Sequence, residues 1–180
     1  MTDRTRPTRH AAMAALVGSI AAAVAGCASS PTEGYSDASL YPDNVRNVAV
    51  DIFENDTFER GVEFELADAL IKEIESRTPL KVVPSSRADS ILTGRIRRVR
   101  RDVLSRSPRT GLSEEVLYIV TIDYTWRDLR TDELLLERQS FDGSGLFVPS
   151  RPTGEPIELG EFAAVQQLAR GIVWTMQADW

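Results

Sequence analysis

The residue pattern of positions 45–180 predicts an α+β fold: a two-layer sandwich with two helices packed on one face of a mixed, mostly antiparallel sheet. Three observations carry this expectation. Glu114–Arg127 alternates strictly, with Val116, Tyr118, Val120, Ile122, Tyr124 and Trp126 on one parity and Thr121, Asp123, Thr125 and Arg127 on the other. That is the signature of a strand with one buried and one solvated face. Two other segments carry apolar residues every three to four positions, as amphipathic helices do. The order of elements is β-α-β-β-β-β-α, and it needs both layers to bury both kinds of apolar face.

The first strand is expected over Val45–Phe53, where Val48, Val50 and Ile52 share a parity. Asp56 and Glu59 have the spacing of a capping box and predict a helix start there. Val62, Leu66, Leu70 and Ile74, with Ala69, then form one apolar stripe. The helix should stop near Arg77, because Pro79 disfavours helical geometry at Thr78. A short strand follows at Leu80–Pro84, and the strand–helix–strand passage allows a right-handed crossover between parallel strands. The next strand starts near Ile91. Leu92, Gly94 and Ile96 take one face, but Val99 and Val103 have the opposite parity, so a β-bulge at about Arg97-Arg98 is expected. Residues 105–113 form a polar loop before the long strand. After a turn at Leu129–Glu133, a strand over Leu134–Phe141 completes a hairpin. Residues 142–158, with three Gly and three Pro, read as a long loop. The closing helix, Glu161–Gln177, presents Val165, Leu168, Ala169, Ile172 and Met176.

The N-terminus has a different character. Arg4, Arg6 and Arg9 precede an uncharged apolar run at residues 11–25, short for a membrane-spanning helix and typical of a signal peptide. The run ends in Val24-Ala25-Gly26-Cys27, which resembles the lipobox of bacterial lipoproteins. The expected organisation is a signal peptide over residues 1–26, a lipidated N-terminus at Cys27 with a flexible tether over 27–44, and a single domain over 45–180. The tether is rich in Ser, Pro, Asp and Gly. Cys27 is the only cysteine, so no disulfide can form within the chain. Ala28 after the cysteine is compatible with outer-membrane sorting, where the lipid would anchor the chain facing the periplasm. Residues 27–180 carry 18 Lys and Arg against 26 Asp and Glu, a net charge of −8. An acidic domain is a poor general ligand for nucleic acid, whose binding depends on neutralised phosphates.

Three runs resemble the LPS-assembly lipoprotein family of the LptE type: Val45–Val83, Ala88–Ser105 and Tyr118–Phe141, with the likeness greatest to a planctomycete-like branch. The resemblance implies a lipobox signal, one α/β sandwich and an outer-membrane site. It also implies a β-barrel translocon as partner, plugged from inside by the lipoprotein, with lipopolysaccharide as cargo. It carries a role rather than contact residues, because the family lacks a catalytic motif. The rival reading is a periplasm-facing lipoprotein of a secretion channel or envelope-associated complex. Several of those open with a strand and helix like Val48–Asn55, but they have no counterpart of the long strand, its hairpin and the last helix.

Little in the sequence points to catalysis. The one histidine, His10, lies in the signal segment. The acid pairs Asp51/Glu54 and Asp123/Asp128 have the residue types for glycosidase work but read more simply as solvated charges. No metal-ligand spacing is present, and no cofactor is expected. The unusual feature is basic: Arg95, Arg97, Arg98, Arg100, Arg101, Arg106 and Arg109 fall within fifteen residues. On the expected bulged strand, Arg95, Arg97, Arg98 and Arg100 line the exposed sheet face. Guanidinium forks suit phosphates such as those of lipid A. The alternative is a solvated row paired with acids such as Glu137 or Asp123 across the sheet. Phe58, Phe64, Phe147, Trp174 and Trp180 are the aromatics least tied to a core face. Phe147 reads as core filling before partner anchor.

Overall fold

The computed structural model describes residues 45–149 and 154–177. The signal segment with His10, Cys27, the tether and Trp180 lie outside the described residues. The elements are β1 (Asn47–Val50), β2 (Glu54–Asn55), α1 (Val62–Arg77), β3 (Lys81–Val82), a 3₁₀ turn (Ser85–Arg87), β4 (Ser90–Arg106), β5 (Ser113–Asp128), β6 (Leu134–Phe147) and α2 (Ile157–Gln177).

One mixed sheet runs β3-β1-β4-β5-β6, with β2 also paired to β4. β1 is parallel to β3 and β4, while β4–β5 and β5–β6 are antiparallel. Both helices cover one face, as the two apolar stripes require. Val62, Leu66, Leu70 and Ile74 of α1 share a core with Leu168, Ile172 and Met176 of α2, all fully buried. From the sheet side the core takes Val116, Tyr118, Val120, Ile122, Tyr124 and Trp126, the parity set expected on β5. The bulge expected in β4 is present: the register shifts between Ile96 and Arg98, so Val99 returns to the helix side opposite Val120. α1 ends at Arg77, and Thr78 caps it in an extended conformation before Pro79.

Three expectations are corrected. The first strand does not run unbroken to Phe53. Val50 pairs with Leu92, yet Glu54 pairs with Arg95, so residues 51–53 hold one residue more than the facing segment of β4. An extra residue reverses the side-chain parity. Ile52 is consequently exposed and Phe53 buried, its ring lying over Gly94, where an added Cβ would come within 2.3 Å of it. Val50 is half-buried.

The Asp56/Glu59 capping box does not form. α1 starts later, with Gly61 in the left-handed region at φ 103° as its N-cap. Asn55 organises the approach instead. Its Nδ2 donates to the Glu59 carbonyl and to Glu63 Oε2, both at 2.7 Å, and its Oδ1 accepts from the Thr57 amide. Glu63 Oε2 also accepts from the Gly61 amide.

The expected loop after Phe141 is the continuation of β6, and α2 begins at Ile157. Phe141, Gly143, Gly145 and Phe147 face the helices, and Phe147 is buried as core filling. The glycines admit α2 rather than break the strand. A Cβ on Gly143 would lie 2.3 Å from Leu168 Cγ.

Candidate functional site

The helices leave the other face of the sheet open, and the arginines of β4 stand there. Arg95 pairs in register with Glu54 on the β2 side and with Asp123 on the β5 side. Its guanidinium contacts Glu54 Oε2 at 2.5 Å and Asp56 Oδ2 at 3.5 Å. Arg97, the extra residue of the bulge, reaches Asp56 at 3.6 Å and Asp123 at 3.5 Å. Arg100 is ion-paired to Asp102 on its own strand. Arg98 is exposed and has no ion pair among the described residues. All four expected residues therefore lie on the open face, within one continuous stretch.

Arg101 does not belong to that row. It pairs in register with Tyr118 on the helix side and holds Glu59 at 2.5 Å. The Tyr118 hydroxyl lies 3.5 Å from Glu161. Burial first, and the carboxylates of Glu161 and Glu59 after it, push the tyrosine well above its ordinary range. Burial likewise raises Glu161, assisted by the nearby charges of Glu65 and Glu59.

A polar cleft of about 500 Å³ opens beside the arginine row, lined by Arg97, Arg98, Arg100, Thr121, Gln139 and Ser140, with Asp123 and Asp142. Ser140 shapes one wall. It takes φ 54° at a bulge in β6, and its amide donates to Asp123 Oδ1 at 2.8 Å. Thr121 Oγ1 donates to Asp142 Oδ1 at 2.5 Å. The cleft thus sets three guanidinium groups beside two carboxylates that already engage the Thr121 hydroxyl and the Ser140 amide.

The row's acids come mostly from β2 and the turn after it. Asp123 was legible as a partner on the neighbouring antiparallel strand; Glu137 instead accepts from Gln139. Glu54 and Asp56 were not legible, because no pattern in the sequence places β2 in parallel register on the far side of β4. These ion pairs join side chains about half exposed. Pairs of that kind contribute only about 0–1 kcal/mol each, so these arginines are held by weak partners.

Of the carboxylates noted in the sequence, Glu54 is engaged by Arg95, and Asp123 and Asp128 are held in separate places. Asp123 is engaged on the open face by Arg97 and the Ser140 amide. Asp128 is buried in the β5–β6 turn. Its Oδ1 accepts from the Arg130 amide at 2.7 Å and the Thr131 amide at 3.2 Å. Those bonds, the first of them foremost, hold its carboxyl below the usual range.

With this geometry in place, the family model for LptE, lipopolysaccharide-assembly, matches residues 45–176. The chain belongs to the LptE family. It is accordingly a lipoprotein of the outer membrane and periplasm, in a family of structural and transport proteins rather than enzymes. No curated protein matches the chain significantly. Solved structures share the fold. A protein from Xanthomonas campestris superposes with a TM-score of 0.56 at 12% identity, covering 78% of this chain and 88% of its own. The uncharacterized lipoprotein B from Nitrosomonas europaea gives 0.51 at 16%, covering 80% and 92%. A PelC dodecamer from Paraburkholderia phytofirmans gives 0.50 at 13%, covering 77% and 93%. At these identities the likeness is one of fold alone.

Proposed function

We propose that this protein assists lipopolysaccharide assembly at the outer membrane as the plug-like partner of a β-barrel translocon, anchored through a lipid on Cys27. The match of the LptE family model across nearly the whole folded domain carries this reading. The open sheet face supports it. Arg95, Arg97, Arg98 and Arg100 form the surface that meets lipopolysaccharide phosphates, with the cleft beside Arg98 as the first point of contact. Residues 1–26 are the signal peptide and 27–44 the tether that lets the domain reach its barrel. The planctomycete-like character of the Val45–Val83 run belongs to the same reading.

Depleting the protein tests the role: barrel maturation and surface lipopolysaccharide should fall together. Replacing the four arginines with Ser tests the surface. Lipopolysaccharide binding should weaken and lose its salt sensitivity, with the fold unchanged, because screening acts on exposed charges. Normal surface lipopolysaccharide after depletion would favour the secretion or envelope-complex alternative.

A further inference from the structure

The start of α2 is joined to the sheet by a chain of polar contacts that crosses four elements. Glu59, in the approach to α1, holds Arg101 of β4 at 2.5 Å. Arg101 stands in register with Tyr118 of β5, and the Tyr118 hydroxyl donates to Glu161 Oε2 of α2 at 3.5 Å. α2 rests closely on that tyrosine. A Cβ on Gly160 would lie 3.2 Å from Tyr118 Cβ and 2.6 Å from the Phe147 ring. Tyr118 and Phe147 are buried there, and Glu161 is half-buried at the mouth of the contact. The charges that face Glu161 are mostly negative. Burial does most to raise its carboxyl, and Glu65 from α1, Glu59 from the approach to α1 and Glu158 from α2 itself raise it further. The Tyr118 hydroxyl opposes them as a donor, and the Arg101 guanidinium is engaged by Glu59. Glu161 also lies beyond the first turn of α2, where the helix dipole gives a carboxylate little support.

We propose that Glu161 is an acid-operated latch: protonated, it closes the first two turns of α2 on Tyr118 and Phe147, and ionised, it loosens them. The cost of ionising Glu161 falls on the closed arrangement. An opened helix start carries the carboxylate away from Glu59 and Glu65 and into water, where its charge is solvated. Linkage then fixes the sign. A group raised in the closed state stabilises that state fully below its ordinary value of 4.5, and the contribution is lost as pH rises through the raised value. Loosened turns uncover the Phe147 ring and part the close approach of Gly160 to Gly145, so the latch controls apolar surface at that end of the helix layer. The device is independent of the assembly role and of the arginine row on the other face of the sheet.

The test is amide hydrogen exchange of the membrane-extracted protein in neutral detergent, from acid to mildly alkaline pH. Rates are expressed as protection factors, which divide out the intrinsic pH dependence of exchange. Residues 158–164 should lose protection by up to about tenfold per pH unit as pH rises above the ordinary carboxylate value. The loss should level off once the closed-state carboxyl is ionised, and Leu66–Ile74 of α1 should not follow it. Glu161→Gln should hold residues 158–164 at the protection of the acid form throughout. Glu65→Gln should shrink the loss, whereas Tyr118→Phe, which removes the donor to the carboxylate, should enlarge it. A pH profile in Glu161→Gln like that of the unsubstituted protein would overturn the proposal. So would a loss shared equally by α1, or protection that rises with pH.

Discussion

Gly145 of β6 lies directly beneath Gly160 of α2: a Cβ on Gly145 would sit 2.0 Å from the Gly160 carbonyl oxygen. On the other side, a Cβ on Gly160 would meet the Phe147 ring at 2.6 Å. Helix and strand meet backbone to backbone here, and the buried stripe of α2 settles over β5 and β6 because of it. Gly145→Val should force the layers apart. Overpacking a fitted core costs about 1–3 kcal/mol, and more where the clash is with backbone. Thermal unfolding of the variant should show a fall in Tm of several degrees.

Asp128 should make stability depend on acid. Its carboxyl is held below the ordinary value of 3.8 by the Arg130 and Thr131 amides and the Arg130 guanidinium. A lowered folded-state pKa contributes stability above the unfolded value, and that contribution is lost as pH falls through the folded one. At neutral pH, Asp128→Ala should cost about 1–3 kcal/mol, since it leaves two part-buried amides and the Arg130 guanidinium without their acceptor. The gap between wild type and variant should narrow below pH 3.8, as denaturant titrations at several pH values would show.

The parts of this fold legible in the sequence were those where one side of an element is dry. The β5 alternation, both helix stripes and the β4 bulge could be read because a single buried face leaves a parity record. Ile52 lies on the opposite face from the one its parity with Val48 and Val50 predicts, because one extra residue between β1 and β2 reverses parity, and three residues are too few to reveal it. Gly143 and Gly145 read as a loop in the sequence because glycine marks both turns and close helix approaches. The alternation Phe141, Gly143, Gly145, Phe147 was the signal that distinguishes them. For the site, the face of the arginines was legible, but their acidic partners Glu54 and Asp56 were not, since those depend on strand adjacency.

The acids of β2 and the turn after it should restrain the arginine row. Neutralising them with Glu54→Gln and Asp56→Asn should strengthen lipopolysaccharide binding by several-fold at low salt, because Arg95 and Arg97 lose their competing partners. Arg98→Ser should weaken binding more than Arg95→Ser. Equilibrium binding of labelled lipopolysaccharide to the three variants measures both effects.

Acylation should be visible in the intact mass. Protein extracted from membranes should lack residues 1–26 and carry acyl mass on Cys27. Cys27→Ala should leave an unprocessed or soluble form; normal processing and outer-membrane fractionation of that variant would remove the lipid anchor from the account.

The most direct measurement of the assembly role is composition of the native complex. Lipidated protein crosslinked in its own membranes and affinity-purified should bring with it one large outer-membrane β-barrel, in a defined ratio. Crosslinks should map to the domain at residues 45–177. Recovery of a secretion or envelope complex with no such barrel would contradict the proposed role.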